Sequence, residues 1–283
     1  MHDQQIQPGG TATENVSILD EAFYFPGLGR HRRLWAYLPR GYHQSQNRYP
    51  VIYMHDGQNL FDEFNAFGSE WGVDETLDAE NGNVIVIGID NGAEHRMSEY
   101  MLHDHPDHGT AEGALYLKDI TEVLKPWVDS VLRTNPEREH TAIAGSSMGG
   151  LISLYAGLYF PPVFGVVGVF SPALWLDAPT VYTEAKDALA RNGASRTDDA
   201  PQRWYFYAGA LESETMVAEV AGMVKIFREQ PGVDVTYQLD ASGIHDEAVW
   251  KNYFPNFYKW FTGKKPAEAL EQESHIKVDD AVE

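Results

Sequence analysis

Residues 83–89 read NVIVIGI, a run holding five β-branched side chains and no charge. A strand with one wet face would alternate apolar with polar residues. This one does not, so both of its faces must be covered. That requirement points to a parallel sheet whose strands are joined by helical crossovers lying on the two faces. The rest of the chain supplies the parts. Further apolar strand runs occur at 34–38 (LWAYL), 51–54 (VIYM), 141–144 (TAIA), 166–170 (VVGVF), 204–208 (WYFYA) and 233–239 (VDVTYQL). Leu117, Ile120, Val123, Leu124, Trp127, Val128 and Val131 recur at helical spacing, as do Val217, Val220, Val224 and Phe227. A helix is also predicted over 151–158, and an aromatic one over 250–261. The early strands precede the first clear helix and suit an antiparallel edge. The fold class is α/β, with a mostly parallel sheet and helices on both faces.

Domain limits follow from where the pattern stops. Residues 1–15 are polar and predict a flexible arm. Residues 16–263 form one domain, and residues 264–283, acidic and poor in apolar side chains, predict a disordered tail. The formal net charge of -21 disfavours nucleic acid and anionic membranes as partners. No stretch is long and apolar enough for a membrane span, and no secretory signal is visible, so a cytoplasmic protein is expected. The absence of cysteine removes disulfides, cysteine-held zinc and a cysteine nucleophile from consideration. Oligomeric state is left open, and a homo-oligomer is compatible with the sequence.

In a doubly covered sheet, ligand sites form at the carboxyl ends of the strands. Gly145-Ser146-Ser147-Met148-Gly149 stands at such an end and fits G-x-S-x-G centred on Ser147. The frame centred on Ser146 would need glycine where Ala144 and Met148 stand. A nucleophile on a sharp strand-to-helix turn needs small neighbours two residues away on each side. The turn also offers the Met148 N–H to a developing oxyanion. A serine needs a base, and in this architecture the acid and the histidine follow it in the chain. Of the two later histidines, His275 falls in the predicted tail, whereas His245 follows the 233–239 strand and is the candidate base. The acid should follow the 204–208 strand, where Glu212 is favoured and Glu214, better suited to a helix first turn, is the alternative. Gly57 allows close backbone approach after the 51–54 strand, which makes the Gln58 N–H the second candidate oxyanion donor. His55 and Asp56 either shape that turn or face the substrate.

The segments YPVIYMHDGQNLFD, AGSSMGGLISLYAG, VFSPALW, YAGALESE and GIHDEAVW occur in this order. Together they resemble the esterase family of α/β-hydrolases that holds esterase D-like, enterochelin esterase-like and feruloyl or acetyl-xylan esterase-like members. The resemblance spans about residues 23–261. It implies the α/β-hydrolase fold and a serine–acid–histidine triad matching Ser147, Glu212 and His245. It also implies hydrolysis of a small-molecule ester or thioester with no metal and no organic cofactor. The segment carrying Arg96, Glu99 and Tyr100 is expected from the family to shape the substrate cleft. Trp175 either lines the acyl or alcohol pocket or packs in the core. His103, His105 and His108, among Asp104 and Asp107, look like a metal site in isolation, but Pro106 and Gly109 favour a solvated loop. The function expected is a serine carboxylic-ester hydrolase acting on short-chain or carbohydrate- or aromatic-linked esters. The alternatives are a siderophore trilactone esterase or thioesterase and, in another class, a non-catalytic binding protein on the same fold.

Overall fold

The computed structural model describes residues 10–195 and 201–263. Eight strands form a single sheet: β1 (Val16–Phe25), β2 (Arg30–Tyr37), β3 (Val51–His55), β4 (Ile85–Ile89), β5 (Thr141–Ser146), β6 (Val166–Phe170), β7 (Gln202–Gly209) and β8 (Val233–Asp240). Their spatial order is β1-β2-β4-β3-β5-β6-β7-β8. β1–β2 and β2–β4 pair antiparallel, and every other pair is parallel. The helices are α1 (Val73–Ala79), α2 (Arg96–Tyr100), α3 (Gly113–Asp119), α4 (Lys125–Val131), α5 (Met148–Tyr159), α6 (Ala178–Ser195), α7 (Met216–Arg228), α8 (Glu247–Trp250) and α9 (Phe254–Phe261). A π-helical turn, Ile120–Leu124, joins α3 to α4. This is the α/β-hydrolase fold, with the antiparallel edge at its N-terminal side.

The strands separate two cores. Val51, Tyr53, Ile85, Ile87, Ile143 and Val167 pack on one face with Leu117, Leu154, Ala185 and Phe227 from the helices. Ile52, Met54, Val86, Ala142, Ala144 and Val166 pack on the other with Leu77, Trp250, Phe257 and Phe261. Alternate residues of one strand therefore feed different cores, which is why apolar residues follow one another in the central runs. α5 is buried from Met148 to Leu158 and is apolar all round, as befits a helix inside the molecule. β8 is the outer strand, and its residues are only partly buried.

Four segments differ from the sequence expectation. α6 shows only a weak apolar stripe (Val181, Ala185, Ala188 and Leu189), because two of its four buried positions are alanine. β1 is the outermost strand on the antiparallel side and is half exposed, so its pattern is mixed. The expected helix over 250–261 is two helices, because Pro255 lacks an N–H and begins α9 rather than continuing α8. Residues 10–15, expected within a flexible arm, are hydrogen-bonded to the domain. The Thr11 N–H bonds Asp62, the Thr13 N–H bonds Asp74, and the Asn15 amide bonds Asp78. Residues 1–9 and the tail expected over 264–283, with His275, lie outside the described residues. Among the described residues, no helix is long and apolar enough to cross a membrane.

Asp90, at the end of β4, gives a stability test. Its carboxylate accepts the Trp35 Nε1–H at 2.8 Å, and burial pushes its pKa up to about 6. The native state therefore holds this proton more tightly than the unfolded chain does. The contribution of Asp90 to stability is full below about pH 4 and declines as pH rises towards 6. Up to about 3 kcal/mol is involved. Asp90→Asn, which keeps an oxygen for Trp35, is expected to flatten the denaturation free energy between these pH values. An unchanged pH profile would refute the assignment.

Candidate active site

Ser147 joins β5 to α5 with φ 57° and ψ -122°, a conformation that costs a non-glycine residue about 1–3 kcal/mol. The neighbours show why the turn can exist. A Cβ on Gly145 would lie 2.7 Å from the Gly149 carbonyl carbon, so no side chain fits there. The bend is fastened by backbone bonds. The Ser147 N–H donates to Phe170 O at 2.9 Å, and the Ser147 carbonyl accepts from Leu151 and Ala173, each at 3.0 Å. The Ser147 side chain is thereby held at the strand end, where the helix begins. Met148 is the first residue of α5, so its N–H has no acceptor within the helix.

Two loops bring the other groups. His245 follows β8, and its Nδ1 lies 2.7 Å from Glu212 Oε2. A carboxylate only accepts, so the hydrogen sits on Nδ1 and leaves Nε2 as the free lone pair. The Glu212 side chain is fully buried, and three donors satisfy it. His245 takes Oε2, while Oε1 accepts from the Gly209 N–H at 2.7 Å and the Ser171 hydroxyl at 2.6 Å. Ser171 in turn accepts the Trp250 Nε1–H at 3.0 Å, and the Trp250 ring meets the His245 ring edge-on at 4.9 Å. Glu214 is exposed, and the bond to His245 comes from Glu212. The arrangement is a buried carboxylate holding an imidazole in one tautomer, with Nε2 left as an acceptor.

Ser147 and His245 open on one cleft of about 540 Å³, whose walls include Gln58, Asn91, Arg96 and Trp250. Gln58 lies in a short 3-10 turn, Gly57–Asn59, after β3. A Cβ on Gly57 would meet the Gly88 backbone at 2.8 Å, so this turn too requires glycine. Asp56 lies beneath Arg96 rather than in the cleft wall. It accepts from Arg96 Nε at 2.7 Å and Nη2 at 2.8 Å, and from Asn91 Nδ2 at 2.6 Å. Burial alone would push the Asp56 carboxyl up, but Arg96 and Asn91 hold it below the usual carboxylate range. Asp56 therefore fixes the guanidinium, and Arg96 is the charge presented to the cleft. His55 is fully buried, bonds Tyr116 through Nδ1 at 2.9 Å, and is pushed by burial down to about 4, so it is neutral at neutral pH.

Other sequence candidates lie elsewhere. Trp175 neither packs in the core nor lines the cleft. It is 55% exposed and meets His108 edge-on at 6.0 Å. The three loop imidazoles take different partners: His103 bonds Glu184 at 2.8 Å, and His105 stacks on His108. Ser171, Asn59, Asn91, Glu247 and Trp250 were not singled out as site residues by sequence. Ser171 and Asn91 each stand just past a strand end, so the strand-end rule would have flagged them. Nothing local marks Trp250, whose indole reaches the site only because α8 packs beneath it.

The comparisons agree with this architecture. The family model described as "Putative esterase" matches residues 26–261. "Uncharacterized protein YbbA" of Bacillus subtilis is 25% identical over 244 residues, covering 83% of this chain and 94% of that protein. The "Iron(III) salmochelin esterase" of Escherichia coli O6:H1 is 29% identical over 241 residues, covering 75% of this chain, which spans 54% of that longer protein. Among solved structures, "Siderophore hydrolase EstB from Aspergillus nidulans" superposes with a TM-score of 0.69 at 17% identity, covering 90% of this chain and 97% of that one. With the family match spanning almost the whole described domain, this chain belongs to the esterase family and is an ester hydrolase.

Proposed function

We propose that the chain is a serine carboxylic-ester hydrolase in which Ser147 is the nucleophile, His245 the general base and Glu212 the residue that orients it. The observation that carries this reading is the 2.7 Å Glu212–His245 bond opening on the same cleft as the strained Ser147. In the first step His245 Nε2 takes the Ser147 proton as Oγ attacks the ester carbonyl. The tetrahedral oxyanion is received by the Met148 and Gln58 N–H groups, each worth about 3 kcal/mol of barrier. The His245 imidazolium then protonates the departing alcohol, leaving an acyl-Ser147 ester. Water, deprotonated by His245, releases the acid and restores the serine.

The cleft volume suits a small-molecule ester. Short-chain or carbohydrate- or aromatic-linked esters are the leading class. A siderophore ester is the second reading, favoured by the names of the salmochelin esterase and EstB and by Arg96, a fixed cation that an anionic catecholate could meet. A panel of p-nitrophenyl acetate and butyrate, acetylated and feruloylated sugars and a catecholate trilactone separates the two by kcat/KM. Turnover of none of them, with no fluorophosphonate adduct on the intact protein, would overturn the esterase mechanism in favour of a binding role.

A further inference from the structure

Away from the cleft, Glu70, Asp74 and Glu75 place one carboxylate oxygen each within 4.8 Å of one another. Acidic groups in proximity are common, but each of these three also leaves a buried oxygen unpaired. Asp74 is 0% exposed, and its Oδ1 has no hydrogen-bond partner. Glu70 Oε1 and Glu75 Oε2 are likewise buried oxygens without a hydrogen bond, as is the Thr13 hydroxyl. Thr13 belongs here because its own N–H bonds Asp74 Oδ2 at 2.7 Å. Buried oxygens are seldom left unpaired, and unpaired acceptors on three neighbouring carboxylates suit an electrophile that binds them together. Among the described residues, the cation paired with the three carboxylates is Lys251, whose Nζ is 3.8 Å from Glu75 Oε2, too far for a hydrogen bond.

We propose that Glu70, Asp74 and Glu75, with the Thr13 hydroxyl, form a calcium site that ties the N-terminal segment and the loop before α1 to the first turn of α1. Four hard oxygen donors suit Ca2+ or Mg2+ rather than a soft metal. Mg2+ holds on to its own waters and is seldom caged by protein oxygens, which favours Ca2+ at a site made of three carboxylates. Three carboxylates and one lysine leave a residual charge that a divalent ion neutralises. The site also has a structural consequence. Trp71, between Glu70 and the start of α1, packs on Trp250 at 5.6 Å, and Trp250 contacts His245. A bound ion would therefore steady the wall that carries His245 without touching substrate.

The test is calorimetric titration of the EDTA-treated, full-length protein with CaCl2 and separately with MgCl2, alongside thermal melts. The expected result is one Ca2+ bound per chain, with a melting temperature that keeps rising with Ca2+ concentration above Kd. Mg2+ should bind at least tenfold more weakly. Glu70→Gln and Asp74→Asn should each weaken Ca2+ binding at least tenfold, and Glu139→Gln, on the exposed surface, should leave it unchanged. Two results overturn the site: no binding heat and no shift in melting up to about 10 mM Ca2+, or parental affinity in both cluster variants. In the first case a shared proton or a water fills the gap. Mg2+ binding as tight as Ca2+ would overturn the assignment to calcium. If Asp74→Asn fails to fold, Glu70→Gln, at a partly exposed position, decides the matter.

Discussion

Ser147→Ala is expected to lower kcat for p-nitrophenyl acetate by about 10⁶-fold and to abolish labelling by a fluorophosphonate. The magnitude follows from what the substitution removes. Without Oγ no acyl-enzyme forms, and His245 has only water to activate. The oxyanion donors and the cleft remain, so a residual rate above the uncatalysed reaction should persist. Folding should be spared, because the bonds that fasten the turn are backbone bonds at Ser147 N and O. Ser146→Ala is the discriminating control. Ser146 is the last residue of β5, in register with Phe170 and 4% exposed, with none of the positive φ that sets Ser147 apart. Most activity and the full adduct should survive there. Loss of the adduct in Ser146→Ala with retention in Ser147→Ala would refute the proposed nucleophile.

The second large effect is expected at Glu212. Glu212→Gln should cost about 10⁴-fold in kcat with little change in KM. Glutamine is almost the same size but brings an NH2 group to a place where three donors converge. Its amide must face either His245 Nδ1–H or the pair made by the Gly209 N–H and the Ser171 hydroxyl. Facing His245, it reverses the tautomer and leaves the hydrogen on Nε2, where it cannot accept from Ser147. Facing the other pair, it sets two donors against each other in a buried space. Glu214→Gln should be silent, since Glu214 is exposed. Steady-state kinetics on both variants separate the two acids. A mild Glu212→Gln together with a severe Glu214→Gln would mean that the loop rearranges and that the proposed triad is wrong.

How much of this was legible beforehand depends on the range of the forces involved. The 83–89 run announced a strand covered on both faces, because burial on two sides leaves its mark on consecutive residues. The elbow was legible for a steric reason: a Cβ on Gly145 would lie 2.7 Å from the backbone of Gly149, four residues on, and that demand is local. The helix over 178–195 was missed because alanines fill two of its buried positions, and alanine leaves little contrast between faces. Trp175 was misplaced because a large aromatic at a strand end suits a pocket, the core or the surface equally well. Only the packing of the loop around it left it exposed. The pinned residues 10–15 were read as loose because their anchors, Asp62, Asp74 and Asp78, lie 51 to 63 positions away.

By itself, the sequence determined the α/β class, the parallel interior, the antiparallel edge and the position of the strained serine, since each depends on residues within a few positions of one another. The tertiary structure decided which carboxylate meets His245, 33 residues away, and that Ser171 braces it from 41. It also decided that Trp250 reaches Ser171 across 79 residues. Those contacts exist because the parallel register brings the ends of β6, β7 and β8 side by side, and a register is a property of the assembled sheet.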